Sequence, residues 1–271
     1  MQSIRYFILS IIFWIAASPV SFAQDSSCAE PLKIRFSADY LPFSHLESDG
    51  TLSGIDVEFI EGLFQEIDCP VSFVVMPFKR AIFELANGDI DMMPFASITE
   101  ERKSFAFFST PYRNETVGMV FRKEDVDKYR LTSLDDVIER GLVLGHEQSA
   151  YRGEFFKAFL ENPASKPHVF NVVSASEGIK MLSAGRIDAM VEMPAATLAM
   201  AAKMGLPDRF AEHPLLLWSD PVHFMYSKKS VSPELIAKVD KALKAAVQEK
   251  AYKTLYGSMG MHVIDPKAAL N

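Results

Sequence analysis

The feature that most constrains the fold is the alternation of strand-like and helical segments along the chain. Leu32 to Phe36 is a strand-like run, and Asp56 to Ile67 repeats apolar residues at helical spacing behind a cap at Asp56. Val71 to Val75 is a second strand-like run. A strand, a helix and a strand in this order predict a right-handed crossover between two parallel neighbours. The alternation continues to a last long helix at Pro233 to Gln248, so the sequence predicts an α/β fold on mostly parallel sheets.

The first residues of the chain indicate export. Arg5 supplies a positive charge, Tyr6 to Ala17 is an almost unbroken apolar run, and Ser21 to Ala23 puts small residues ahead of Gln24. The run is shorter than the about 20 residues that a bilayer-spanning helix needs. We therefore predict a signal peptide over residues 1–23, cleaved after Ala23. The alternative is an uncleaved membrane anchor.

The chain has two cysteines, Cys28 and Cys69, and their positions suggest a disulfide bond. Each cysteine precedes one of the two parallel strands, so both should lie at the starting ends of neighbouring strands. Export makes a bond between them stable, because disulfides persist in oxidising compartments. The prediction is a Cys28–Cys69 bridge, and the alternative is two unpaired thiols.

Composition and motifs exclude several classes of function. The chain has 28 basic and 35 acidic residues spread along its length, and no basic stretch favours a nucleic-acid partner. The six histidines lack the spacing of metal ligands. The sequence contains no nucleophile elbow, phosphate-binding loop or zinc-protease motif. We therefore expect no metal, no cofactor and no catalytic centre.

Two segments of the chain echo each other. Leu85 to Met93 and Leu182 to Met190 share Leu, Gly, Ile, Asp and Met at matching places. Each pattern is typical of a helix that ends at a left-handed Gly and leads into a strand, so chance could produce both. Two copies also suit two lobes of similar build. Since ligands of open parallel sheets bind beyond the carboxyl ends of strands, Phe95 to Ser97 and Glu192-Met193 should face one cleft.

Four segments in order carry a resemblance to a known family. They are Gly54-Ile55-Asp56-Val57-Glu58-Phe59, Asn87-Gly88-Asp89-Ile90-Asp91, Ser97-Ile98-Thr99-Glu100-Glu101-Arg102 and Phe108-Ser109-Thr110-Pro111-Tyr112. They resemble family 3 extracellular solute-binding proteins, the periplasmic polar-amino-acid receptors of ABC transporters, and the resemblance runs from about Leu32 to Met259.

The resemblance implies an architecture and a location. The fold would be a type II periplasmic binding protein fold, in which two α/β lobes joined by a double-crossover hinge close on a small ligand. Lobe 1 would be residues 29–115 plus 222–271, and lobe 2 residues 116–221. The protein would be a periplasmic monomer.

Arg102 is the main candidate for ligand binding. It follows Thr99, a helix-capping residue, and a guanidinium beside free backbone N–H groups can hold a carboxylate with two hydrogen bonds. The resemblance also carries the family's carboxylate-binding arginine onto this position. The alternative is a surface arginine paired with Glu100 or Glu101.

The resemblance implies further contacts around Arg102. Tyr40 and Phe78 would form opposite walls over the ligand. Ser97, the backbone from Phe95 to Ser97, and Ser149 from lobe 2 would add hydrogen bonds. Core packing or ordinary turns are the alternatives at these positions.

Two departures from the family pattern leave the charge of the ligand open. Family members usually hold the ammonium of the ligand with an Asp that follows the second-lobe strand, but Met193 occupies that place, one step after Glu192. Ser37 also stands where an acidic residue is common. Either Glu192 or Asp39 accepts an ammonium, or the ligand is a carboxylate without one.

The expected function is a non-enzymatic receptor for a small carboxylated solute, an amino acid or a close relative. The receptor would deliver this solute to an inner-membrane ABC permease or to a sensor. The alternative is an enzyme on the same fold that resembles cyclohexadienyl dehydratases, with Glu192 as a general acid.

Overall fold

The computed structural model describes Cys28 and residues 30–260, and the predicted signal peptide lies outside these residues. The described strands are β1 (Leu32–Phe36), β2 (Asp39–Tyr40), β3 (Ser44–Leu46), β4 (Leu52–Ser53), β5 (Val71–Val75), β6 (Met92–Ala96), β7 (Ala106–Arg122), β8 (Leu144–Glu147), β9 (Val169–Val172), β10 (Ala189–Glu192), β11 (Phe210–Glu212) and β12 (Trp218–Ser227).

The described α-helices alternate with most of these strands, but β7 is antiparallel to its neighbours β10, β11 and β12, so the prediction of mostly parallel sheets is wrong. The helices are α1 (Ile55–Glu66), α2 (Phe78–Asn87), α3 (Glu100–Lys103), α4 (Lys123–Val126), α5 (Asp135–Glu139), α6 (Glu154–Glu161), α7 (Ala175–Ser183), α8 (Pro194–Lys203), α9 (Pro233–Ala246) and α10 (Lys250–Tyr256). Within residues 30–260, none of the helices is both long and apolar enough to cross a bilayer.

Two long strands at the centre connect the two halves of the molecule. The main sheet has the order β5-β1-β6-β12-β7-β10-β8-β9, with β11 paired to β7, and β7 runs antiparallel to β12. We call β1 to β6 with α1, α2, α3, α9 and α10 the first lobe, and β8 to β11 with α5 to α8 the second lobe. The lobe boundaries expected at 115/116 and 221/222 fall within the continuous strands β7 and β12, and they stay a prediction.

The parallel pairing predicted for the first two long strands of the first lobe is confirmed. β1 and β5 are parallel, from Leu32 opposite Val71 to Phe36 opposite Val75. Ile60 and Phe64 of α1 are fully buried in the same apolar cluster as β1 and α9. The second lobe has separate apolar clusters around α5 with α6 and around α7 with α8.

The two similar sequence segments form the same helix-to-strand connection, one in each lobe. Asp91, just before β6, accepts a hydrogen bond from the Lys33 amide at 2.8 Å. Asp188, just before β10, accepts one from the Val143 amide, also at 2.8 Å. The glycine of each copy has the predicted left-handed φ. The repeated aspartates thus perform the same task in each lobe, because each ties the start of one strand to its parallel neighbour.

The predicted disulfide bond is present. Cys28 and Cys69 are bonded, with their Cα atoms 5.2 Å apart, and they precede β1 and β5. The bond closes a loop with a sequence separation of 41 and anchors the beginning of the described chain to the edge strand β5.

Removing this bond should lower stability without changing the fold. In the chain-entropy model a loop of this length contributes about 4 kcal/mol, because the bond restricts the unfolded chain. A protein with both Cys28→Ser and Cys69→Ser should lose about this amount of unfolding free energy in urea titrations. Wild-type protein purified without reductant should contain no free thiol by mass spectrometry, and finding two would contradict the assignment.

The prediction that Asp56 caps α1 is wrong. The helix begins at Ile55 with Gly54 as its N-cap, and Asp56 lies inside the first turn. A side chain at Gly54 is excluded, because its Cβ would lie 2.2 Å from the Phe43 carbonyl oxygen. The short polar side chain that suggested a cap is instead part of the buried core.

Asp56 is fully buried and binds three side chains. Its Oδ2 accepts hydrogen bonds from Tyr112 Oη at 2.7 Å and Arg113 Nε at 3.3 Å, and its Oδ1 accepts one from Tyr256 Oη at 2.8 Å. Burial raises the pKa of Asp56, and Arg113 opposes this shift. This cluster attaches α1 and α10 to the central strand β7.

Asp56→Asn should be strongly destabilising, because it leaves the buried Arg113 guanidinium without its main counter-charge. Breaking a buried pair on one side typically costs about 3–5 kcal/mol. Glu58→Gln changes an exposed acid in the same helical turn and should cost at most about 1 kcal/mol. Urea unfolding of both variants measures the contrast, and equal losses would contradict a structural role for the Asp56 cluster.

Candidate functional site

A narrow cleft lies between the two lobes. Its free volume is about 30 Å³, so the lobes are close together in this conformation. It lies at the carboxyl ends of β6, β8 and β10, where an open parallel sheet binds its ligands. The lining residues are Ser37, Tyr40, Phe78, Phe95, Ser97, Arg102, Glu115, Glu147, Ala150, Tyr151, Arg152 and Glu192.

Most of the predicted site residues meet in this cleft. Those on its lining are Tyr40, Phe78, Phe95, Ser97, Arg102 and Glu192. Ser149 differs from the prediction, because it is an exposed residue outside the lining and only its carbonyl faces Arg102. Its left-handed φ of 70° turns the loop after β8 at this point.

Arg102 lies where the sequence places it, in the first turn of α3. Thr99 caps this helix and accepts a hydrogen bond from the Arg102 amide at 3.2 Å. The guanidinium donates to the Ser97 carbonyl at 2.9 Å and to the Ser149 carbonyl at 3.1 Å, so it touches both lobes. Burial lowers the pKa of Arg102 to about 10, which keeps it charged at neutral pH.

The alternative of a surface arginine is wrong. Arg102 is only 6% exposed, and Glu100 pairs with Lys103 at 2.6 Å instead. Within the described chain, neither Glu100 nor Glu101 forms an ion pair with Arg102. The guanidinium therefore keeps N–H groups that no carboxylate of the described residues occupies.

Aromatic rings form two walls of the cleft. The Tyr40 ring lies 5.1 Å from the rings of Phe43 and Phe95. The guanidiniums of Arg35 and Arg102 lie 5.4 Å and 5.3 Å from the centre of the Phe78 ring. These contacts hold the rings firmly at the cleft and orient the charge of Arg102.

The backbone beside Ser97 is less available than predicted. Phe95 has a left-handed φ of 49°, and its N–H donates to Tyr112 Oη at 3.2 Å. The Ser97 carbonyl accepts from Arg102. The Phe95 N–H and the Ser97 carbonyl therefore form hydrogen bonds within the protein. The Ser97 side chain remains as a polar group on the cleft lining.

The sequence analysis missed Arg152, the basic residue at the centre of the second-lobe side. Its guanidinium binds Glu115 Oε1 at 3.0 Å and Glu192 Oε2 in an ion pair. Arg152 follows the irregular loop after β8, and Glu115 lies within β7, 37 residues earlier. No local periodicity connects residues so far apart, so only folding reveals this pair.

Glu192 and Asp39, the two carboxylates considered for a ligand ammonium, already have partners. Glu192 binds Arg152 and also accepts a hydrogen bond from the Met193 amide at 2.9 Å. Burial raises the pKa of Glu192 to about 7, against the opposing charge of Arg152. Asp39 accepts from the Ser176 amide at 2.9 Å, at the start of α7, and does not line the cleft.

His146 lies in β8, directly before Glu147, which is on the cleft lining. It is 5% exposed, and its ring lies 5.2 Å from the Phe156 ring. Burial and the nearby charge of Arg152 lower the pKa of His146 from 6.5 to about 4. The imidazole is therefore neutral at neutral pH.

Comparison of the sequence with known protein families identifies the family that this chain matches. The model of the bacterial extracellular solute-binding proteins, family 3, matches residues 32–260. The probable amino-acid-binding protein YxeM of Bacillus subtilis (strain 168) is 28% identical over 217 residues, which cover 79% of this chain and 78% of that protein.

Solved structures share the same fold. An ancestral arginine-binding protein bound to glutamine is 25% identical, with a TM-score of 0.72 over 84% of this chain and 97% of its own. The ancestral amino acid-binding protein AncCDT-1, a precursor of cyclohexadienyl dehydratase, is 24% identical, with a TM-score of 0.70 over 85% of this chain and 96% of its own. The predicted type II periplasmic binding protein fold is thus confirmed.

Acid should destabilise the protein through His146. Below pH 6.5 the unfolded chain binds a proton at this residue, while the folded protein resists protonation down to about pH 4. The unfolded state then binds more protons, so stability falls as the pH drops through this window, by about 3 kcal/mol.

The measurement is urea unfolding of wild type and His146→Gln across the same pH range. The variant should lose less stability on acidification than wild type. His168→Gln, a change at a half-buried histidine that binds the Leu142 carbonyl, serves as the control. Identical pH profiles for wild type and His146→Gln would contradict the assignment.

Proposed function

The chain belongs to family 3 of the bacterial extracellular solute-binding proteins, and we propose that it is a receptor for a small carboxylated solute. The solute, an amino acid or a close relative, would bind without chemical change in the cleft between the lobes. The observation that carries this proposal is the Arg102 guanidinium, which faces the cleft without a carboxylate partner among the described residues.

The chemistry of Arg102 suits a carboxylate. A guanidinium presents parallel N–H groups that match the two oxygens of a carboxylate, and such charge-assisted bonds are stronger than neutral ones. The carbonyls of Ser97 and Ser149 hold the side chain in place from both lobes. A carboxylate would therefore meet a positive charge that is already oriented.

Closure of the lobes on the ligand would let a partner protein distinguish the bound receptor from the free one. Polar contacts between the lobes include Lys79 with Gln148 at 3.2 Å, Asp39 with the Ser176 amide at 2.9 Å and Lys203 with Glu47 at 3.3 Å. A ligand that touches both lobes adds contacts which the open state lacks, and so shifts the population to the closed form. We propose that an inner-membrane ABC permease or a sensor recognises this form in the periplasm.

The enzymatic alternative would use Glu192 as a general acid, because burial raises the pKa of this carboxyl. Against it, Oε2 of Glu192 binds Arg152 and Oε1 accepts from the Met193 amide, so both oxygens are engaged. The receptor is therefore the better supported function. Incubation with prephenate separates the two, because a lyase would consume it and a receptor would leave it unchanged.

The ligand can be found by a thermal-shift screen over amino acids, dicarboxylates and amines. A true ligand at 100 times its dissociation constant should stabilise the protein by about 2.7 kcal/mol. Failure of all small carboxylates to shift the melting temperature would contradict the proposed function.

Arg102→Ala should weaken binding of the best carboxylate from this screen by about 10²- to 10³-fold. The reason is that the buried carboxylate loses its counter-charge, at a cost of about 3–5 kcal/mol. Arg102→Lys should restore part of the affinity, since an ammonium cannot form the parallel pair of bonds. Lys103→Ala changes the exposed neighbour and should bind as wild type does. Calorimetric titration measures all three, and unchanged affinity in Arg102→Ala would contradict the carboxylate assignment.

A further inference from the structure

Two carboxylates reach across the cleft and bind the beginning of a helix in the opposite lobe. Asp39 of the first lobe accepts a hydrogen bond at 2.9 Å from the Ser176 amide, in the first turn of α7 in the second lobe. Glu147 of the second lobe accepts one from the Phe78 amide, at the first position of α2 in the first lobe. The two contacts run in opposite directions, so each lobe supplies a carboxylate to the other.

These carboxylates satisfy amides that the helices themselves leave without a partner, because the first-turn amides of a helix have no acceptor inside it. α2 follows Pro77, whose side chain carries no acceptor, so Glu147 takes the role of the missing cap. In α7 the cap Ser174 accepts from a different amide, and the Ser176 amide is left for Asp39. Both carboxylates also lie at the positive end of a helix dipole, which favours their negative charge.

A buried cation of the first lobe favours the same contacts. Arg35 of β1 is 1% exposed, and its Nε donates to the Met76 carbonyl at 2.8 Å, two residues before α2. Burial lowers the pKa of Arg35 to about 10, while the charges of Glu147 and Asp39 act in the opposite direction. The approach of Glu147 from the second lobe therefore brings a negative charge toward a buried positive one.

Further polar contacts between the lobes lie beside each of these caps. Lys79 Nζ donates to Gln148 Oε1 at 3.2 Å, and these two residues directly follow the two partners of the Glu147 contact. Lys203 of α8 donates to the Leu46 carbonyl at 3.2 Å, in the strand β3 that pairs with β2. All these contacts join protein groups to protein groups, so they can form before a solute is bound.

We infer that the two caps, Asp39 on α7 and Glu147 on α2, form a latch that holds the lobes together in the ligand-free protein. The inference goes beyond the proposed function, because it concerns the receptor before any solute binds. Each cap joins one lobe to the other, so both break together when the lobes separate. A solute can enter only while the latch is open, and the latch therefore slows association.

Hydrogen exchange at single amides tests the latch, because a first-turn amide is protected by its cap and not by the helix. Bound solute is first removed by unfolding in guanidinium chloride, dialysis and refolding, and exchange is then followed by NMR on ¹⁵N-labelled protein. In ligand-free wild type, the Ser176 and Phe78 amides should exchange at least about 10-fold more slowly than unstructured amides. The Val143 amide, which Asp188 binds at 2.8 Å within the second lobe, is the internal reference.

Asp39→Ala distinguishes a latch from two independent local contacts. The Ser176 amide loses its cap and should lose its protection. If the caps act together, the ratio of closed to open molecules also falls by about 5-fold, so Phe78 should exchange about 3- to 5-fold faster although Glu147 is intact. Asp39→Asn keeps an oxygen that can accept the bond and should retain most of the protection at both amides. Asp208→Ala, which removes an exposed acid of the second lobe, is the matched control and should leave both amides unchanged.

Two results would overturn the inference. One is unprotected Ser176 and Phe78 amides in ligand-free wild type, and the other is an Asp39→Ala protein in which Phe78 keeps its full protection. Neither result affects the proposed function, which is tested by the binding of carboxylates. Should Asp39→Ala not fold, Glu147→Ala gives the same test with the roles of the two amides exchanged.

Discussion

The pairing of β7 with β12 is the interaction on which the rest of the structure depends. The register runs from Trp218 opposite Val117 to Ser227 opposite Ala106, with irregularities near His223. Strands of the first lobe attach to β12 through β6, and those of the second attach to β7 through β10. Because both lobes are attached to one pair of strands, this pair sets where the carboxyl ends of β6, β8 and β10 meet.

A series of buried ion pairs crosses this central strand. Asp56 of α1 binds Arg113 of β7, Arg113 approaches Glu115 at 4.0 Å, and Glu115 binds Arg152, which binds Glu192 of β10. Arg113 and Glu115 are two positions apart, so both point to one face of β7. Each charge has an opposite neighbour, which offsets much of the desolvation that buried ions suffer. Arg102 and Glu147 stand outside this series and border the cleft.

Much of the fold could be predicted from local pattern. The strands β1 and β5, the helix between them and the capped start of α3 follow from apolar periodicity and from short polar side chains at helix ends. The bond between Cys28 and Cys69 follows from the parallel neighbours that they precede. Asp56 shows the limit of this reasoning, since a capping aspartate and a buried ion-paired aspartate look alike in sequence until Arg113 is brought beside it.

The sequence by itself determined the two α/β halves, the strand ends that carry polar residues, and the presence of Arg102 beside a helix cap. These follow from interactions within a few residues or between consecutive elements. Only the tertiary structure decided which charges neutralise one another. Arg152 reaches Glu115 and Glu192 across 37 and 40 residues, and this choice leaves Glu147 without an ion-pair partner among the described residues. Electrostatic pairing depends on distance in space and on burial, and neither is written in the local sequence.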